Sequence, residues 1–392
     1  MFDNLLYQSA SDLLSSDIKK NCLPNSILLS GPASSGKLTC ALEIARILSC
    51  ANKTASWTCT CPSCLEHKAL QSPNVLIVGS SDRTLEIAAA KANLLFQNAN
   101  NTNHLEAARY LFIRSVRKLT VRFSSVLWAD DDKLSKFSSL IADIEEFLEE
   151  VSPNHPLPDG ESLEKICSQI EKNCIKLESS FLYDAIPVAQ IRHFSSWARV
   201  MSNSGQKVVI IENAERMADS ARNALLKILE EPPSGTTFIL TTSSRGSILP
   251  TILSRVRTYT LFNRNPEEQK NVINRVFHYD MMIGESNVPK NINDFLQTYL
   301  PIKPDLIKSC AKHYFETVAQ GHVPDITLIA KTCGSFEPRV LLQIFFKGII
   351  DCQQKLLLSS AGSETCAQVM DLLRNSYNRI SFFCFNIIKC NI

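Results

Sequence analysis

The sequence predicts an α/β protein: a parallel sheet with helices between its strands, followed by an all-helical C-terminal part. Three observations lead there. Short apolar runs alternate with helix-patterned segments between Ser26 and Leu261, as in folds that cross from strand to parallel strand through a helix. The first run ends in a glycine-containing loop that opens directly into a helix. After about Asn263 the strand signals vanish and helical spacing continues to the C-terminus.

Composition narrows the class. The chain has 392 residues, enough for two or three domains. It is 45% hydrophobic and 20% charged, which is globular usage. A formal net charge of +2 argues against a protein that coats nucleic acid by bulk charge, although a local basic face stays open. No apolar stretch approaches the roughly 20 residues of a membrane span; the longest candidate, Ile380 to Ile388, contains Asn386. Met1 to Ser16 lacks the cationic start and apolar run of a signal peptide. Fourteen cysteines without an export signal indicate reduced thiols in a cytoplasmic protein.

The elements follow in order. Ser26–Ser30 reads as a buried strand entering a turn at Gly31-Pro32, and from Lys37 the residues Leu38, Ala41, Leu42, Ala45 and Leu48 recur at helical spacing. A cysteine-rich knot follows, and then a strand at Val75–Val78. Residues 105–183 read as inserted helices. In the first, Leu105, Phe112, Val116, Leu119 and Phe123 form one face, and Arg114, Arg117, Lys118 and Arg122 the other. The second follows a possible cap at Asp130-Asp131-Asp132 and carries an acidic outside. The basic face suits a DNA backbone, but pairing with the acidic helix as a hairpin is the preferred reading. Further strands are expected at Val208–Ile211, Thr237–Thr241 and Arg257–Leu261, with a helix from Ala218 to Leu229 that stops at Pro232-Pro233.

Gly31-Pro-Ala-Ser-Ser35-Gly36-Lys37 fits G-x-x-x-x-G-K, a loop whose amides and lysine cradle phosphates. The candidate nucleotide residues are Gly31, Ser35, Gly36, Lys37, Leu38, Thr39 and Glu212. Two parts depart from a working ATPase. Leu38 stands where a Ser or Thr hydroxyl binds Mg²⁺, and Thr39 points about 100° away around the helix. After Ile211 the chain has Glu212-Asn213, so one carboxylate is kept and the next position cannot act as a base. ATP binding stays possible on this reading, but hydrolysis does not follow.

The segments Asn223-Ala-Leu-Leu-Lys-Ile-Leu-Glu-Glu-Pro-Pro-Ser-Gly-Thr-Thr-Phe-Ile-Leu240 and Ile248-Leu-Pro-Thr-Ile-Leu-Ser-Arg255 resemble those of bacterial clamp-loader subunits, across roughly residues 1–80 and 186–262. The resemblance implies an AAA+ module over 1–263, with a zinc knot at 50–67 and a helical insertion at about 82–185. It also implies a helical lid over 264–302 and a helical collar over 303–392. Partners follow from it too: gamma/tau and delta subunits in a five-subunit ring, a sliding clamp and primed DNA, with no membrane. Leu38 and Asn213 place the chain nearer the delta prime type, a stator of the DNA polymerase III holoenzyme, than the motor type. Ser254-Arg255 matches the family's arginine-finger motif, with Val256 in place of Cys, and implies that Arg255 acts in trans on a neighbour's nucleotide. Two other readings stay open: an active ATPase that uses Thr39, and an unrelated P-loop phosphotransferase.

Cys50-x₈-Cys59-x-Cys61-x₂-Cys64 supplies four thiolates, enough for a closed structural Zn²⁺ site. The family pattern has one more residue between the second and third cysteines, and His67 is an alternative ligand. Pro338 reads as the first turn of a C-terminal helix.

Overall fold

The computed structural model describes residues 1–53, 55–80, 82–200, 206–284, 288–333 and 338–359. They fall into two compact units, Met1–Leu296 and Gln297–Ile392; the last part of the expected collar, 360–392, lies outside the described residues.

The first unit begins with α1 (Ala10–Lys19), β1 (Ser26–Ser30), α2 (Lys37–Leu48), α3 (Pro62–Ala69) and β2 (Val75–Val78). Four long helices follow: α4 (Thr84–Ala99), α5 (Leu105–Thr120), α6 (Leu134–Glu150) and α7 (Gly160–Phe181). The chain then returns to the sheet through α8 (Val188–Arg199), β3 (Lys207–Ile211), α9 (Asp219–Glu230), β4 (Thr236–Thr242), α10 (Pro250–Leu253) and β5 (Arg257–Thr260). Three short helices close the unit: α11 (Pro266–Phe277), α12 (Tyr279–Ile283) and α13 (Ile292–Gln297), the last ending at the boundary. All strand pairs are parallel, in the order β2-β3-β4-β1-β5.

The burial explains the strand signals. Every residue of β1, β3 and β4 is buried, because helices cover both faces of a parallel sheet. Edge strand β5 buries only Tyr259 fully, and the Tyr259 hydroxyl donates to Asp17 of α1 at 2.5 Å. Each expected strand is present within a residue at either end.

The inserted helices are tied by aromatic packing. Trp128 stacks on Phe123 and Tyr183 and meets Phe137 edge-on, with centroids 5.0–5.4 Å apart. Helix α7 starts where the Asp159 carboxylate accepts from the Ser162 N–H at 2.8 Å. The expected acidic cap on α6 acts one step earlier: Asp131 accepts from the Lys133 N–H, and no side chain caps the helix itself.

The expected hairpin between the basic and acidic helices is replaced by a different pairing. Helix α5 packs chiefly on α4, and α6 on α7. Arg117 reaches Glu145 of α6 at 3.2 Å, but Lys118 pairs with Glu86 of α4, and Arg114 donates to the Lys68 carbonyl at 2.5 Å. Buried carboxylates and carbonyls need a donor more than the solvated acids of α6 do, so they take these cations. The basic face is therefore an internal surface, which removes the DNA-backbone reading for these four residues.

The second unit contains α14 (Pro304–Ala319), α15 (Ile326–Cys333) and α16 (Pro338–Ser359). Helices α14 and α16 pack through Ile307, Ala311, Leu341 and Phe345, and Tyr314 meets Phe345 edge-on at 5.6 Å. Helix α16 is described from Pro338; the residues just before it, 334–337, lie outside the described residues.

Glu86 gives the fold a signature in acid. Burial raises its carboxyl, but Lys118 and Arg83 lower it more, leaving it at about 2 against an ordinary 4.5. A depressed carboxyl stabilises the fold above its unfolded-state value and loses that contribution as pH falls. Urea denaturation across a pH series should show stability falling between pH 4.5 and 2. Glu86→Gln should be less stable at neutral pH and show a shallower fall in that window; parallel curves would contradict this.

Candidate functional site

The glycine-rich loop leaves β1, the strand between central β4 and edge strand β5. Gly31 lies so close to the residue that follows β5 that a Cβ there would stand 2.5 Å from the Leu261 carbonyl oxygen. Gly36 caps α2 with φ at +97°, a left-handed conformation that glycine adopts without strain. The loop thus has the backbone its motif implies. Its side chains point elsewhere. The Lys37 ammonium donates to the Gly31 and Pro32 carbonyls, both at 2.6 Å. Burial lowers its pKa, while Glu215 and Glu212 act the other way. Leu38 belongs to the apolar core with Leu29, Ile44 and Ile239, and Thr39 is half-buried. The Ser35 hydroxyl is buried without a hydrogen-bond partner. Arg264 closes the loop from outside, donating to the Ser34 carbonyl at 2.9 Å and the Leu6 carbonyl at 3.0 Å.

Glu212 stands at the end of β3, its N–H bonded to the Val78 carbonyl at 2.8 Å. Its buried carboxylate is divided between two guanidiniums. Arg83 holds Oε1 at 2.8 Å and Arg122 holds Oε2. Burial raises the Glu212 carboxyl, but Arg83 and Arg122 lower it further, so it stays ionised. Asn213 adopts a left-handed conformation and donates from its amide to the Ser80 carbonyl at 2.6 Å. Glu215 accepts from the Ser243 N–H and hydroxyl, so it serves the end of β4.

Cys50, Cys59, Cys61 and Cys64 converge despite the shortened spacing. All four sulfurs are buried and lie within 4.8 Å of one another. Cys61 caps α3 and Pro62 opens it, which carries Cys64 back to Cys50 at the end of α2. Cys50 and Cys59 sulfurs are 3.8 Å apart. Tetrahedral sulfurs about 2.3 Å from a zinc ion would be separated by about 3.8 Å. The N–H of Cys64, more than burial opposes it, lowers the Cys61 thiol, while burial pushes the Cys64 thiol up to about 12. The donor set therefore fits a single soft divalent metal. His67 is buried but is not part of the group.

A cationic frame surrounds the knot. Buried Arg46 of α2 donates to Glu43, to the Ser56 and Ala55 carbonyls, and to the Cys64 sulfur at 3.5 Å. Arg46, Lys68 and Arg114 all approach the Trp57 ring, at 5.5, 5.2 and 6.0 Å from its centroid.

Arg255 follows α10, two residues before β5 begins. Because β5 runs parallel to β1, Arg255 and the glycine-rich loop lie at opposite ends of the sheet. Its guanidinium is partly exposed and pairs with Glu230 at 2.6 Å, while also donating to the Thr251 carbonyl. Sequence reading missed the site roles of Arg83, Arg264 and Arg46, and took Arg122 for a surface residue. The lack of any acid between Ala107 and Ala129 was the one available hint that the cations of α5 answer to distant groups.

A family model described as "DNA polymerase III, delta subunit" matches residues 7–127 and 138–265. A DNA polymerase III subunit delta' from Haemophilus influenzae is 42% identical over 83 residues, 21% of this chain and 25% of that protein. The subunit delta' of Escherichia coli is 47% identical over 57 residues, 14% of this chain and 17% of that one. A subunit gamma/tau from Mycobacterium bovis is 30% identical over 99 residues, 25% of this chain and 17% of that one. The chain thus spans a quarter or less of the length of these relatives. With a family match over more than half of its residues, the chain, an α/β protein with a five-stranded parallel sheet, belongs to the DNA polymerase III delta subunit family.

Proposed function

We propose that the chain is a delta prime-type stator of the clamp loader, a subunit of the DNA polymerase III holoenzyme that helps load the sliding clamp onto primed DNA. One observation carries the stator reading: the three groups a magnesium nucleotide needs are engaged elsewhere or missing. Lys37 is turned onto the loop's own carbonyls, Leu38 replaces the metal-binding hydroxyl, and Glu212 is shared by two arginines. Phosphoryl transfer depends on positioning and charge stabilisation by those groups. The partners in this reading are gamma/tau and delta subunits in a five-membered cytoplasmic ring. Residues 1–263 serve as the AAA+ module, 264–302 as the lid and 303–392 as the collar.

Arg255 is the one element of catalytic character in this reading, acting on a neighbour's nucleotide. Its bond to Glu230 supports that role because both side chains are solvated, at 31% and 50% exposure. Such a surface pair is worth about 0–1 kcal/mol, so a phosphate can displace it. The four-cysteine knot, as a zinc site, is structural: it joins α2 to α3 and, through the carbonyls of His67 and Lys68, to Arg114 of α5.

Three measurements test this. The purified chain should release phosphate from ATP no faster than background; turnover abolished by Lys37→Ala would refute the stator reading. In a reconstituted loader, Arg255→Ala in this subunit alone should lower clamp- and DNA-stimulated ATPase while the complex still assembles, since such arginines are worth about 10³–10⁵ in GTPases. Unchanged ATPase in an intact complex would leave Arg255 a surface charge. Protein prepared reduced and zinc-replete should carry about one zinc per chain. Chelation should raise hydrogen exchange in α3 and α5; a metal-free preparation with protected helices would remove the zinc assignment.

A further inference from the structure

We infer that Arg83 and Arg122 are a built-in counter-cation for Glu212, occupying with covalently tethered charge the place a divalent metal takes in P-loop ATPases. This deepens the stator reading and rests on it.

The argument starts from the carboxylate. An acid at this strand end, buried and ionised, cannot persist without an opposing charge. In an ATPase the acid after this strand holds Mg²⁺. Here each carboxylate oxygen is matched by its own guanidinium, one from the start of α4 and one from the turn after α5. Neither arginine is free to leave. The Arg83 N–H donates to Glu178 at 2.9 Å, and its second amino group pairs with Glu86 at 3.1 Å. The Arg122 carbonyl accepts from the Trp128 indole at 2.8 Å, inside the aromatic cluster of the insertion. Glu178 is itself fixed, accepting from the Thr84 hydroxyl at 2.7 Å. The insertion is thereby fastened to the sheet at the position where an ATPase would register its nucleotide. A cation approaching Glu212 meets two positive charges and no vacant oxygen.

The test is thermal unfolding of the full chain with magnesium chloride, against sodium chloride of equal ionic strength. Wild type should be indifferent to Mg²⁺. R83M/R122M leaves Glu212 buried and unpaired, so its melting temperature should fall by roughly 10 °C. Millimolar Mg²⁺ should restore part of that fall, and the recovery should disappear in R83M/R122M/E212Q. A second arm covers failure of the double variant to fold. E212Q leaves two guanidiniums without their anion, so R122M/E212Q should melt higher than E212Q alone. Mg²⁺ stabilisation of wild type through Glu212, an R83M/R122M variant indifferent to Mg²⁺, or additive losses in the second arm would each overturn the assignment. These results are separable from the stator reading, which stands or falls on wild-type ATP turnover.

Discussion

A carboxylate at the end of a fully buried strand sets the terms for this molecule. Glu212 has left water and kept its charge, and everything around it is arranged to make that tolerable. Arg83 and Arg122 neutralise it; Glu86 then answers the Arg83 guanidinium and Lys118 answers Glu86, while Glu178 of α7, its carboxyl pushed up to about 8 by burial, accepts from the Arg83 N–H. Each added charge calls for the next because none is well solvated. The network runs through α4, α5 and α7, so the inserted helices are joined to the sheet by electrostatics as well as by apolar packing. Removing one member leaves an uncompensated buried charge, which is why such a network behaves as a unit and not as a set of separable pairs.

The cysteine knot is a second tie, and it ends on the same helix. Arg46 connects α2 to the Cys64 sulfur and to the loop carbonyls of Ser56 and Ala55, and Trp57 gathers Arg46, Lys68 and Arg114 around its ring. From there Arg114 and Arg117 of α5 take the carbonyls of Lys68 and Ala69. Successive turns of α5 therefore address the knot, the acid of α4 and, just beyond its end, Glu212. The same cations that look like a nucleic-acid surface in one dimension serve as mortar in three.

Much of this fold was legible in the sequence, for a physical reason. The central strands are buried on both faces, so they read as unbroken apolar runs, and Val208–Ile211 could hardly be anything else; edge strand β2 reads alike because three of its four residues are buried too. The glycine-rich loop was legible because Gly36 answers to backbone geometry that is local, whereas the close approach of Gly31 to Leu261 is a contact between distant segments. The convergence of the cysteines was legible from spacing, although the short Cys59-x-Cys61 step hid how well the set closes. The helical insertion was visible as helices but not as a partner of the site. Arg122 and Glu212 are 90 positions apart, and nothing in the neighbourhood of either names the other. Likewise Arg264 follows the last strand of the sheet in sequence, yet it answers the Ser34 carbonyl of the first loop.

The arginines of this chain divide by whether their partners can be exchanged. Arg122 and Arg83 are enclosed, each with a buried acid and with backbone groups held by other residues, so breaking either pair exposes a charge to a medium that cannot solvate it. Arg255 sits at the surface with a solvated acid and one carbonyl, and water can replace either at small cost. A guanidinium suits both duties because it stays charged in any environment and presents its donors in a fixed plane. In the first duty it makes the Glu212 carboxylate permanent structure. In the second it stays available to an anion from outside. The proposed action on a neighbour's nucleotide draws on that contrast: Glu212 is fastened by buried arginines, and the exchangeable arginine lies at the opposite end of the sheet.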